Sequence, residues 1–193
     1  MAKRVFFSFH YQDVADFRVN VVRNHWVTKE GTEDAGFLDG SLWEEAEKKG
    51  SAALKKLING GLNGTTVTTV LIGSSTYSRP WVHYEIFASI KKGNTLLGVH
   101  INGIPDKNRV VAAQGPNPMQ YLALEFSAEG TFARPRAWDG AKWIYFDEHE
   151  GWTLKSARPE SQRGQTLQLT TFSKTYDWQS DDGFNNFSSW LGE

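Results

Sequence analysis

Trp81 and Glu85 stand four residues apart in Pro80-Trp81-Val82-His83-Tyr84-Glu85. A helix over this stretch puts an indole and a carboxylate on one face, with Tyr84 close to both. A carboxylate among aromatic rings can stabilise positive charge that develops in a bound ligand, and the rings can stack on a flat heterocycle. The ordinary roles differ: a glutamate in an early helical turn is solvated and favoured by the helix dipole, and an indole there braces its helix. Other chemistries are excluded outright. The chain has no cysteine, hence no thiolate nucleophile, disulfide framework or cysteine-held metal. Asp181-Asp182-Gly183 lacks the alternating oxygen ligands and terminal glutamate of a calcium loop, so no metal site is expected.

The elements that must position this pair follow from the apolar patterning. Val5-Phe6-Phe7-Ser8-Phe9 is a short β-branched and aromatic run, the pattern of a strand buried in a parallel sheet. Asp13 is suited to cap a helix whose stripe is Val14, Phe17, Val21 and Val22, ending near Val27. Residues 28 to 40 read as a surface loop with a short second strand around Gly36 to Asp39. A second helix spans Ser51 to Asn59 and stops at Gly60-Gly61. Thr66 to Ile72 is a strand, Pro80 opens a third helix that stops at Gly93-Asn94, and Leu96 to Ile101 is a further strand. This alternation predicts an α/β domain with a parallel sheet, because each parallel pairing needs a crossover.

Beyond Asn102 the pattern weakens to a turn at Gly115 to Pro118, a last strand over Trp143 to Phe146 and a terminal helix over Phe184 to Leu191. Five of the eight tryptophans lie between 138 and 190, so this region is expected to pack back on the sheet. At 193 residues the reading is one domain, with a core of about 1–102 plus the strand near 143–146, and a C-terminal elaboration over about 103–193. A net charge of −1 provides no field for nucleic acid or an anionic membrane. The apolar stretch Val5 to Phe9 is too short for a signal segment or a membrane span, so a cytoplasmic protein is expected.

Open parallel sheets bind ligands outside the carboxyl ends of their strands, where the strand order reverses. In a flavodoxin-like order this point lies between the first and third strands. It nominates the loops Phe9-His10-Tyr11-Gln12 and Gly73-Ser74-Ser75-Thr76-Tyr77, and the helix that starts at Pro80 borders the same crevice.

Arg4-Val5-Phe6-Phe7-Ser8-Phe9-His10-Tyr11 resembles the first strand of Toll/interleukin-receptor (TIR) domains, and Trp81-Val82-His83-Tyr84-Glu85 matches the Trp-x-x-x-Glu pattern of their NAD-cleaving members. More closely, residues 6–13, Ser41-Leu42-Trp43-Glu44, Leu57 to Asn63, Tyr176-Asp177-Trp178 and Asp181-Asp182-Gly183 resemble the TIR-like subunits of Thoeris anti-phage defence, the ThsB family. The resemblance implies a flavodoxin-like TIR fold with strand order 2-1-3-4-5 flanked by helices. It implies that Glu85 is catalytic and that NAD is a substrate, not a cofactor. It further implies a cyclic ADP-ribose isomer as product, received by a separate Thoeris effector, with a phage-derived trigger and a homo-oligomer or filament on activation.

The remaining candidate contacts are Phe6, which either lines the cleft or belongs to the core; Ser8 and His10 at the strand end; Asp39 and Trp43 after the second strand; Ser74; and Trp81. His10 would meet a phosphate or ribose, and Ser74 would cradle a phosphate or cap the turn. Cleavage of the nicotinamide–ribose bond releases a neutral ring, so no general acid is needed and one carboxylate suffices where ordinary glycosidases use two. Two alternatives share this sequence: a TIR enzyme making linear ADP-ribose or a conjugate, and a non-catalytic scaffold that acts by self-association with Glu85 at the surface. A receiver or flavin-binding module is disfavoured, because the first strand ends without an acidic cluster and the loop after it lacks a glycine-rich cradle.

Overall fold

A computed structural model of the chain describes residues 4–28 and 40–192, so the second strand expected around Gly36 to Asp39, and Asp39 itself, lie outside the described residues. Strands Val5–Phe9 (β1), Val67–Ile72 (β2) and Thr95–His100 (β3) pair in parallel in that order, with Val5 opposite Val67 and Val67 opposite Thr95. Five more strands form an antiparallel sheet: Leu122–Phe126 (β4), Phe132–Trp138 (β5), Trp143–Tyr145 (β6), Trp152–Thr153 (β7) and Thr166–Gln168 (β8). The chain then returns, and Lys174–Asp177 (β9) completes the first sheet beside β3, with Leu97 opposite Lys174. The order β1-β2-β3-β9 fills positions 1, 3, 4 and 5 of the flavodoxin-like arrangement.

The expected last strand is thereby corrected. Trp143–Tyr145 is extended, but it pairs antiparallel with β5 in the second sheet. The strand that closes the parallel sheet is Lys-Thr-Tyr-Asp at 174–177, whose half-exposed edge position removes the need for an apolar run.

Among the described residues six α-helices accompany the strands: Tyr11–Ala15 (α1), Arg18–Val27 (α2), Gly40–Lys49 (α3), Ser51–Gly61 (α4), Pro80–Lys92 (α5) and Gly183–Trp190 (α6). The single helix expected from Asp13 to Val27 is broken at Phe17, which adopts a left-handed φ of 63°. The break re-phases the second segment. Phe17 and Val21 become exposed, and Val19, Val22 and Trp26 form the buried stripe. It also turns Arg18 inward, where its guanidinium donates to the carbonyls of Ile104 and Val110, each at 3.0 Å. Asp13 is not a cap either; it lies inside α1 and is buried.

Alternation along β1 divides the interior. Val5, Phe7 and Phe9 face α2 and α6, packing with Val19, Val22, Trp26 and Phe187, whereas Phe6 faces α4 and α5, against Ile58, Leu62, Tyr84 and Ala88. A third cluster joins α5 residues Val82, Ile86 and Phe87 to Leu122, Leu124, Phe126 and Ala133 of the antiparallel sheet. Helix α5 is therefore the middle layer between two sheets and is buried around most of its circumference, from Val82 through Ser89 apart from His83. Its start fits Pro80 at the first turn, and its end is Gly93 with a left-handed φ of 99°.

The C-terminal region is thus a structural half of the domain. Phe187 of α6 is fully buried among Phe7, Trp26, Trp178 and Trp190, with ring centroids 5.6 to 6.3 Å away. Phe187→Ala should lower unfolding stability by roughly 3–5 kcal/mol, the range for truncating a buried aromatic. Denaturant titration followed by tryptophan fluorescence measures it, and a loss under about 1 kcal/mol would contradict this packing.

Candidate active site

A cavity of about 400 Å³ opens where β1 ends and α5 begins, within the size range of small-molecule sites. His10 lines it from the end of β1, Tyr11 from the start of α1, Trp43, Glu44 and Glu47 from α3, and Arg79, Trp81 and Glu85 from α5 and its cap. The two loops of the crevice are locked together. Gly73 lies so close to Asp13 that a Cβ there would sit 2.3 Å from both carboxyl oxygens. Burial, opposed by the nearby Arg18 guanidinium, pushes Asp13 up to about 6.

Glu85 is 5 % exposed. Ser8 is fully buried and donates from Oγ to Glu85 Oε2 at 2.5 Å, the only hydrogen bond to this carboxyl among the described residues. Burial pushes Glu85 up to about 8, and the Ser8 bond opposes the shift without cancelling it. An empty site at neutral pH therefore holds Glu85 mainly as the neutral acid, and a cationic ligand favours its ionisation.

The backbone under this carboxyl is pinned from β2. Asn94 Nδ2 donates to Thr68 Oγ1 at 3.1 Å, Thr68 to Ser89 Oγ at 2.8 Å, and Ser89 to the Glu85 carbonyl at 2.7 Å. From the other side, His149 stacks on Tyr84 at 4.2 Å and 15°, and its Nε2 lies 3.1 Å from the Tyr84 carbonyl. Burial lowers the His149 pKa, and because its partner is a carbonyl oxygen, Nε2 is the donor. Glu148 adds an ion pair to Lys55 at 2.6 Å. His149 of the C-terminal half thus braces α5, the helix that carries Glu85, and Glu148 ties the same segment to α4.

Of the residues nominated by sequence, His10, Trp43, Trp81 and Glu85 meet in the cavity, with the two indoles 6.2 Å apart and nearly perpendicular. Ser8 acts through Glu85. Two nominees fall elsewhere: Phe6 is fully buried in the core beneath the site, the second of its two readings, because its position in β1 turns it toward Ile58 and Leu62. Ser74 donates to the Ala113 carbonyl at 2.6 Å and lies outside the cavity lining. Sequence reasoning missed Arg79, Glu44, Glu47 and His149; Arg79 alone carried a signal, as the residue directly before the helix-starting proline. Among the described residues no group of three histidine, aspartate or glutamate side chains could hold a metal, and no helix is long and apolar enough to cross a membrane.

The buried carboxyl makes folding stability depend on pH. Its titration lies near 4.5 in the unfolded chain and near 8 in the folded one, so the unfolded state releases its proton first as pH rises. The contribution of the protonated form is complete below about 4.5 and is lost as pH rises to about 8. Glu85→Gln keeps an acceptor for Ser8 and cannot ionise. Its thermal midpoint should match that of the unsubstituted protein near pH 4.5 and exceed it by roughly 5–10 °C at pH 8.5, taking a few kcal/mol at about 2–4 °C each. A gap that does not change with pH would refute the buried, neutral Glu85.

The model of the family described as "Thoeris protein ThsB, TIR-like domain" matches residues 6–106, a segment that contains β1 through β3 and α5. A curated protein of Bacillus cereus (strain MSX-D12), named "Putative cyclic ADP-D-ribose synthase ThsB1", is 53 % identical over 191 residues, covering 99 % of this chain and 100 % of that protein. With the TIR-type sheet order and the Trp81–Glu85 helix beside the crevice, the chain belongs to the ThsB family of Thoeris TIR-like proteins.

Proposed function

We propose that the protein cleaves NAD at the nicotinamide–ribose bond and makes a cyclic ADP-ribose isomer. The observation that carries this reading is the buried carboxyl of Glu85, held by Ser8 at the edge of a cavity that also contains Trp43 and Trp81. A self-association scaffold would have no use for such a group, whose charged form is penalised by burial. The B. cereus relative's name supports the cyclic product.

The chemistry follows from charge. The pyridinium ring of NAD brings a positive charge beside Glu85, offsets the penalty of burial, and the carboxyl releases its proton to solvent. The resulting carboxylate stabilises the oxocarbenium character that grows on the ribose as the C–N bond breaks. Nicotinamide leaves neutral with the bonding electron pair. A nucleophile of the adenosine half, folded back within the cavity, attacks the anomeric carbon and loses a proton, closing the ring. Trp43 and Trp81 supply flat surfaces for the bases, and NAD is consumed as substrate with no further cofactor. The cyclic product signals to a separate Thoeris effector, and a phage-derived trigger acting through self-assembly switches the enzyme on in the cytoplasm.

Purified protein should release nicotinamide and a cyclic nucleotide from NAD when extract of phage-infected cells is added, followed by mass spectrometry. Glu85→Gln should reduce turnover at least ~10³-fold, the scale of losing a principal electrostatic stabiliser. Full activity in this variant would overturn the assignment. Because kcat/KM reports the free enzyme, it should rise with pH through a limb near 8, and kcat should reach its plateau at lower pH because bound pyridinium favours the carboxylate. Ser8→Ala, which removes the bond opposing the shift, should move the kcat/KM limb to higher pH.

A further inference from the structure

Arg79 is the N-cap residue of α5 and the one arginine or lysine among the described residues lining the cavity. Burial lowers the His10 pKa and the Arg79 charge lowers it further, so both disfavour a second cation there. Arg79 Nε is buried and has no hydrogen-bond partner among the described residues, and none of their ion pairs involves it. A guanidinium does not escape this by losing its proton, and a buried donor left unpaired is destabilising. The Arg79 charge acts on Asp13 without a hydrogen bond or ion pair to it, which leaves Nε to an anion from outside. Glu44 and Glu47 of α3 also line the cavity and repel one, which leaves Arg79 as the point for negative charge. Ser74, the phosphate contact expected from sequence, has its hydroxyl engaged by the Ala113 carbonyl.

We infer that Arg79 grips the diphosphate of the dinucleotide and thereby sets the nicotinamide ribose against Glu85. This rests on the NAD reading above. Arginine suits the task because its planar fork donates two parallel hydrogen bonds to phosphate oxygens. Arg79 and Glu85 are six residues apart, about 9 Å along one helix. A single rigid element therefore carries both the anion anchor and the carboxylate, and fixes the distance between diphosphate and anomeric carbon. That element is braced by His149 and by the Thr68–Ser89 bonds, so the spacing is preorganised.

Two probes separate the anchor from the substrate reading. Nicotinamide riboside has the scissile bond without the diphosphate, and ADP-ribose has the diphosphate without the scissile bond. Arg79→Met should raise KM for NAD about 10- to 100-fold, the scale of charge-assisted hydrogen bonds, while leaving constants for nicotinamide riboside unchanged. Arg79→Lys, which keeps the charge and loses the fork, should restore part of the affinity for NAD. ADP-ribose binding, measured by calorimetry without any trigger, should weaken at least ~10-fold in Arg79→Met. Equal losses for NAD and nicotinamide riboside, unchanged binding of ADP-ribose, or no binding of ADP-ribose by the unsubstituted protein would overturn the anchor. Absence of NAD cleavage by the triggered, unsubstituted protein would instead overturn the substrate reading, with the ADP-ribose measurement still deciding whether Arg79 holds a diphosphate.

Discussion

A carboxyl group buried with one hydroxyl for company is the constraint around which this fold is arranged. Removing a carboxylate from water is expensive, and the group responds by keeping its proton. Glu85 can be so buried because α5 is covered on both sides, by β1 and β2 beneath it and by the antiparallel sheet above. The second sheet covers the opposite flank of the helix, at Val82, Ile86 and Phe87, and so holds in place the element that carries Glu85. Resting neutrality also has a functional sense: the group acquires its charge when a cationic substrate arrives to compensate it.

The second requirement is that α5 must not move. Its partners are distributed so that each fixes a different part. Ser8 holds the carboxyl, Ser89 and Thr68 hold the backbone from β2, and His149 packs against Tyr84 from the opposite side. At the mouth, the contact between Asp13 and Gly73 joins the loops after β1 and β2, so the crevice walls are fixed to each other as well as to the helix. The Ser8–Glu85 and His149–Tyr84 contacts cross 77 and 65 positions of sequence, so the site exists only in the assembled domain.

What the sequence revealed was the part written in local patterning. β1 is bounded as read, α5 begins at Pro80 and is capped by Gly93, and the pairing of Trp81 with Glu85 follows from helical spacing. The reversal of strand order nominated the crevice in which the cavity lies. Three features were hidden. The break at Phe17 depends on a left-handed residue type that seldom adopts that conformation, so neither glycine nor asparagine marks it. The strand at 174–177 is half exposed at a sheet edge, and its polar residues look like a loop. His149 lies 64 residues beyond Glu85 in a segment with no periodic signal, and its role depends on how the antiparallel sheet folds over α5. Ser74 is bonded to the Ala113 carbonyl, and the sequence could not separate this role from phosphate binding because a serine in a polar loop before a helix suits both equally.

The central claim is that Glu85 is a neutral acid in the empty protein and becomes a carboxylate when a pyridinium ribosyl ligand binds. Carbon-13 NMR of glutamate labelled at the side-chain carboxyl, with Glu85→Gln to assign the resonance, reads this state directly. The account predicts a titration near 8 in the free protein, moving to lower pH on binding a non-cleavable carbocyclic analogue of NAD. Titration of the free protein near 4.5, or no movement when the analogue binds, would contradict it.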